Sequence, residues 1–269
     1  MDFIRLNKLY RDNGAVLVKE FLNKEQTSLI KSAIQFCVSK PSPFSSKIAK
    51  DTNKESKFFH DYWTYNRNDY VKTILRDKSI IEKIKKITGN KKVNFFHDHI
   101  LVKNPNSPIT PWHHDRPYYF IDGPNNFSIW ITPDDVKEDN SLAFCAGSHK
   151  SNKIYVPVDF NDISQLSNDP NLSILDEDAL NKESENGILI FKMSPGDAIF
   201  FHNRTLHRSL PSSSNSSRSA LSLRMIGDGA FLTKVCCTNP QPPFHKFGMK
   251  LEEKKPVDSE KDWFPELPL

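Results

Sequence analysis

Near residue 90 the hydrophobic periodicity of this 269-residue chain changes from helical to extended, and that change limits the folds open to it. Before it, Leu29, Ile30, Ala33, Ile34 and Cys37 share one face of a helix predicted over residues 23–40. Asn23 followed three residues later by Gln26 has the spacing of a capping box. A second helix is predicted over 78–88, where Ile80, Ile81, Ile84 and Ile87 repeat at helical spacing and Gly89 with Asn90 supplies the stop. After it, residues 93–103, 127–132, 187–193, 197–202 and 219–226 are short, rich in β-branched and aromatic residues, and bounded by Pro, Asn, Gly and Ser. Short strands at this density point to a barrel or a sandwich. Residues 155–186 are polar and acidic and read as a loop with a short helix, and 240–269, rich in Pro and charge, as a wrapping tail.

Length alone allows about 1.8 domains. No internal repeat or long linker divides the chain, so a single domain over 1–269 is expected: about 1–90 helical, about 91–230 a β core, and 231–269 the tail. Nineteen Phe and 37% hydrophobic residues exclude a wholly disordered chain, because they can bury a core. The excess of 37 basic over 33 acidic residues is too small to mark nucleic acid as the partner. A mean hydropathy of −0.56 without a long apolar run argues against a membrane span. Asp2, Arg5 and Lys8 break the apolar stretch a signal peptide needs, so a cytoplasmic location is expected. The chain has no GxGxxG or Walker pattern and no CxxC among its four cysteines, which leaves no phosphate-cradling loop and no thiolate zinc site to read.

The stretch Pro111, Trp112, His113, His114, Asp115 carries the chemistry. On an extended backbone residues i and i+2 share a face, so His113 and Asp115 converge while His114 points away. One imidazole and one carboxylate are two-thirds of the facial triad of non-haem Fe(II) enzymes. The third ligand must come from a distance, and His207 is the candidate, with His202 as rival. Taken alone H-x-D recurs by chance, and a surface His beside an Asp is the ordinary alternative. Ser209, two residues past His207, and Arg218, eleven past it, strengthen the metal reading, because a guanidinium can hold the far carboxylate of a chelating co-substrate bidentately.

With these residues the sequence resembles the phytanoyl-CoA dioxygenase (PhyH) family of Fe(II)/2-oxoglutarate-dependent oxygenases. The spacing of His113, Asp115, His207, Ser209 and Arg218 matches the family pattern, and the likeness runs through HDHILVKNP (97–105), PWHHDRPYYF (111–120), IWITPDD (129–135), AGSHK (146–150), PGDAIFFH (195–202) and RSALSLRMIGD (218–228). The eleven-residue interval to Arg218 selects His207 over His202. The resemblance implies a mainly β, double-stranded β-helix (jelly-roll, cupin-like) barrel with N-terminal helices packed around it. It implies Fe(II) on His113, Asp115 and His207, with 2-oxoglutarate and O2 converted to succinate and CO2 as a small-molecule substrate is hydroxylated at an unactivated C–H. It also places Arg218, Ser209, Trp130 and Ile100 around 2-oxoglutarate, and a carboxylate at Asp115, where related halogenases have a small residue, favours hydroxylation.

Other residues have two readings each. His97 and His99 form an H-x-H on one strand face and read as rival metal ligands or as hydrogen-bonded histidines in or beside the barrel, with His99 also a candidate for lining the substrate pocket. Arg116, Tyr118 and Tyr119 are candidate substrate contacts, with core packing as the alternative. His114 reads as a structural or ligand-orienting residue, and His60, His149, His202 and His245 as ordinary polar residues. Arg224 shares strand parity with Arg218 but lies about 20 Å further along, so a surface carboxylate is its expected partner. The aromatic run 58–65 reads as a lid or as packing for the helices, and 212–217 as a flexible loop. Two rival functions remain at this level: a zinc hydrolase on the same His/Asp/His set, and a non-catalytic cupin-like binding protein. Neither substrate identity nor oligomeric state is readable.

Overall fold

The structure, a computed structural model, describes residues 1–48, 58–105, 107, 109–160, 162–176, 180, 187–210, 217–237 and 242–269. The chain runs α1 (Phe3–Asn13), β1 (Ala15–Val18), α2 (Lys24–Ser39), β2 (Ser46–Ile48), β3 (Phe58–Tyr62), α3 (Asp69–Arg76), α4 (Lys78–Thr88) and β4 (Asn94–Lys103). It continues through β5 (Thr110–His113), β6 (Ile121–Asp122), β7 (Phe127–Ile131), β8 (Leu142–Cys145), β9 (Ile188–Ile190), β10 (Ala198–His202), β11 (His207–Ser209), β12 (Arg218–Ile226) and β13 (Phe231–Leu232). Strands β1-β10-β7-β12-β4-β3-β2 form a large sheet and β5-β11-β8-β9 a smaller one, with β13-β6 as a separate ribbon. The two larger sheets are the double-stranded β-helix, and the helices pack around it.

The two predicted helices form where their caps dictate. Asn23 accepts from the Gln26 backbone at 2.8 Å while the Gln26 side chain accepts from the Asn23 N–H at 3.0 Å, which completes the capping box of α2. Asp77 caps α4, and Gly89, at φ 78°, ends it in the left-handed region. The apolar faces of α2, α3 and α4, among them Ile30, Ile34, Ile74 and Ile84, bury in one core with Phe95, Ile100, Ile129, Phe200 and Leu221 on the outer face of the large sheet. Each fully buried aliphatic side chain of this kind contributes about 1.5–3 kcal/mol.

The N-terminal third is not wholly helical, as periodicity had it. β1 pairs antiparallel with β10 (Ala15↔Phe201 to Val18↔Ala198) and β3 pairs with β4 (Phe58↔Lys103 to Tyr62↔His99), so this segment lengthens the large sheet at both sides. Within 155–186, where a short helix is expected, described residues 155–160 and 162–176 form no helix, while 161, 177–179 and 181–186, like most of the 212–217 loop, lie outside the described residues. The strap after residue 154 is held by bridges Tyr155↔Ser173 and Val158↔Gln165. The C-terminal segment packs against the start of β4: Phe95 and Leu267 N–H groups donate to the carbonyls of Pro265 and Val93, and Phe244, Phe264 and Leu267 are buried. No helix among the described residues is long and apolar enough to cross a membrane.

Candidate active site

Register builds the metal centre. β5 and β11 pair so that His113 lies directly across from His207, with ring centroids 4.2 Å apart. Strand β5 ends at His113, and a tight turn, with Asp115 at φ −70° and ψ −26°, brings the carboxylate back toward the imidazoles. The pairing of His113 with Asp115 therefore comes from a turn rather than from strand alternation. Ligand atoms of His113, Asp115 and His207 all lie within 4.8 Å of one another. Each histidine uses Nδ1 on the carbonyl two residues before it, Pro111 at 2.9 Å and Thr205 at 2.9 Å, which leaves Nε2 as the lone-pair atom facing the cluster. Burial lowers the pKa of both rings, that of His113 to about 3, so both are neutral and able to ligate.

Asp115 is divided between two jobs. Arg224 Nη1 lies 2.8 Å from its Oδ2, and Ser128 Oγ donates to the same oxygen at 3.1 Å while accepting from Arg224 at 2.6 Å. Its Oδ1 faces His207 Nε2 at 3.9 Å, a gap suited to a shared cation rather than to a direct hydrogen bond. Burial pushes the Asp115 carboxyl up, but Arg224, then His207 and His113, hold it below its ordinary value. Arg224 thus has a buried carboxylate in the site itself, not a surface one. Its place follows from register, because β12 sets Arg224 beside Ser128 of β7 and opposite His97 of β4, while Arg218, six residues away, faces Lys103.

The cavity beside the triad has a volume of about 230 Å³. One end is cationic. Arg218 is buried with its guanidinium carbon 5.2 Å from the Trp130 ring and Nη1 on the Asn140 carbonyl. Lys103 Nζ donates to Ser209 Oγ and lies 3.3 Å from Thr110 Oγ1, and the Thr110 N–H donates to Ser209 Oγ at 2.8 Å. Burial, and next to it the Arg218 charge, pushes the Lys103 ammonium down to about 7, and burial brings Arg218 to about 10. Two buried cations that disfavour each other form a ready seat for a carboxylate.

Of the other expected site residues, His99, Tyr118 and Trp130 line this cavity. Ile100 does not: alternation along β4 turns His99 and Leu101 inward and buries Ile100 against the helices. Arg116 is also not at the cavity, because the turn after Asp115 carries it to Asp122, Nε to Oδ2 2.9 Å, where Arg204 joins from the other side at 2.9 Å. Tyr119 packs in the core beneath the tail. His114 is buried and its Nε2 accepts from the Tyr155 N–H at 3.1 Å. The aromatic run splits between roles: Phe58 and His60 line the cavity, while Trp63 packs on Phe244. Lys103 and Thr110 were not singled out for the site from sequence, and Phe58 and His60 only as part of the 58–65 run; Lys103 had one available signal, its strand parity with His99. The His149 and His202 rings, tilted with centroids 5.4 Å apart, line a larger open cleft of about 610 Å³, whose lining includes Arg11, Asp122 and Arg204 but none of the triad.

A sequence model of the phytanoyl-CoA dioxygenase (PhyH) family matches residues 10–220. No curated protein matches the chain by sequence. Similar solved structures include the non-haem α-ketoglutarate-dependent epimerase SnoN from nogalamycin biosynthesis, at TM-score 0.75 and 17% identity over 99% of this chain and 98% of that one. The carbocyclase SnoK from the same biosynthesis gives 0.71 and 18% over 97% and 95%. EctD from S. alaskensis, with 2-oxoglutarate and 5-hydroxyectoine, gives 0.70 and 14% over 94% and 84%. At these identities the likeness is one of fold.

Proposed function

The chain belongs to the phytanoyl-CoA dioxygenase (PhyH) family, and on that premise we propose that it is an Fe(II)- and 2-oxoglutarate-dependent dioxygenase that hydroxylates an unactivated C–H of a small molecule. The observation that carries this reading is the sharing of one cavity by the neutral imidazoles His113 and His207, whose ligand atoms cluster with the Asp115 carboxylate, and a buried Lys103–Arg218 pair. The donor set fits the metal, because three ligands clustered on one side leave positions open to a chelating co-substrate and O2. Bound Fe(II) supplies the redox chemistry by which substrate, 2-oxoglutarate and O2 become hydroxylated product, succinate and CO2.

The chain's own residues do the rest. His113 and His207 present Nε2 and Asp115 presents Oδ1, while Arg224 occupies the other carboxylate oxygen. Arg218 and Lys103 hold the distal carboxylate of 2-oxoglutarate, with Ser209 and Thr110 as the polar floor and Trp130 as the wall. The buried site keeps competing water away from the reacting centre. A zinc hydrolase would leave this cationic end without a role. SnoN and SnoK are named for epimerisation and ring formation, so the hydroxylation step is tested by the product itself.

The decisive experiment is an anaerobic titration with Fe(II) and 2-oxoglutarate. The weak visible charge-transfer band of the chelate is expected in the wild type, and Arg218→Ala should weaken 2-oxoglutarate binding about tenfold or more through loss of a charge-assisted contact. Absence of the band, or an unchanged affinity in the variant, overturns the assignment.

A further inference from the structure

The part of the cavity lined by residues of β3, β4 and the strap after residue 154 that are not assigned to the co-substrate forms a chamber of its own chemistry. We propose that this chamber binds a compact, uncharged, mainly apolar substrate whose one hydroxyl or carbonyl is read by the hydrogen-bonded pair His60 and His99. The inference rests on the oxygenase reading only for assigning the Lys103–Arg218 end to 2-oxoglutarate.

Phe58, Leu101, Tyr118, Val158, Phe160 and Leu166 wall the chamber. Phe160 stands over the metal site, its ring centroid 4.6 Å from that of His113 and 5.7 Å from that of Tyr118. Tyr118 spends its hydroxyl on the strap, donating to the Val158 carbonyl at 2.9 Å and accepting from the Val158 N–H at 3.0 Å. The charged side chains on the described lining are engaged or solvated: Lys103, 5.1 Å from the Phe58 ring, and Arg218 are assigned to the co-substrate, Arg224 lies on Asp115, and Asp159 is half-exposed.

What remains is the imidazole pair. His99 Nε2 and His60 Nδ1 are 3.2 Å apart, with ring centroids at 5.3 Å. Burial lowers the pKa of both rings and keeps them neutral. One proton lies between the two nitrogens, so of the two outer nitrogens one donates and the other accepts, whichever ring holds the shared proton. A neutral polar group satisfies such a pair. A carboxylate would lose its hydration among aromatic walls whose cations are already assigned to the co-substrate, and an ammonium would find only the half-exposed Asp159. The volume of about 230 Å³, which the co-substrate would share, falls below the roughly 300–1,000 Å³ typical of drug-sized ligands and favours a compact guest.

The test is equilibrium dialysis of four probes of similar size, p-cresol, benzoate, benzylamine and toluene, against anaerobic protein loaded with Fe(II) and 2-oxoglutarate. p-Cresol should bind about tenfold or more tightly than either charged probe. His60→Phe should weaken p-cresol about tenfold, the loss of one hydrogen bond, while toluene binding and the chelate band stay unchanged. Charged probes that bind as tightly as p-cresol, no binding by any probe, or p-cresol affinity indifferent to His60→Phe overturns the proposal. Dialysis needs no turnover, so a missing chelate band in the wild type sinks the oxygenase reading, whereas a normal band with the wrong selectivity sinks only the substrate inference.

Discussion

Arg224 and Ser128 hold one oxygen of Asp115 and leave the other facing His207, and that division has a measurable energetic consequence. Removing one partner of a buried ion pair leaves an uncompensated charge, at a cost of about 3–5 kcal/mol. Arg224→Met should therefore destabilise the metal-free protein by that order. A bound divalent cation then neutralises Asp115, so Co(II) should raise the melting temperature of the variant more than that of the wild type; equal gains would place the Asp115 partner elsewhere. Lys103 makes a pH prediction of definite sign. Its ammonium is pushed down to about 7, and a carboxylate guest favours the charged form. Binding above pH 7 must then take up a proton, so the Kd for 2-oxoglutarate should rise by up to about tenfold per pH unit between 7 and 8.5. Lys103→Met should bind more weakly and lose that slope. A wild-type affinity flat across this range would show that Lys103 stays charged without the guest.

At the scale of elements, the capping box of α2 illustrates stability that leaves the site alone. Asn23→Ala removes the acceptor for the Gln26 N–H at the start of the helix, and should cost about 1 kcal/mol in chemical denaturation with 2-oxoglutarate affinity unchanged. The strands after residue 90 were legible because side-chain period is local: four of the five predicted ones, 93–103, 127–132, 197–202 and 219–226, coincide with β4, β7, β10 and β12 to within a residue at each end. β1 and β3 were not, since a four- or five-residue strand has little period to read and its partner lies far along the chain. Site residues divide the same way. His113, Asp115, Ser209 and Arg218 stand at recognisable intervals. Lys103, His60 and Arg224 acquire meaning only when β4 registers against β12 and β3, bringing Lys103 opposite Arg218 and Arg224 opposite His97.

At the scale of the whole molecule, the tail closes what the strands begin. Phe244, Met249, Val257, Phe264 and Leu267 are buried by it, and at about 1.5–3 kcal/mol each their loss is comparable with the entire 5–15 kcal/mol stability of a typical domain. A chain truncated after Cys237 should show no cooperative thermal transition; a normal melt would mean that the wrapping is superficial. By itself the sequence determined the kind of protein: strand period after residue 90, the spacing that announces a metal triad, and an arginine placed for a carboxylate. Those are local properties of the covalent chain and can be read along it. Tertiary structure alone decided which side chains share a cavity. It turned Ile100 out and Lys103 in, moved Arg116 to Asp122, and set Arg224 on Asp115. Such choices depend on strand register and on a turn at Asp115, and a one-residue slip in either would exchange the faces of every residue involved.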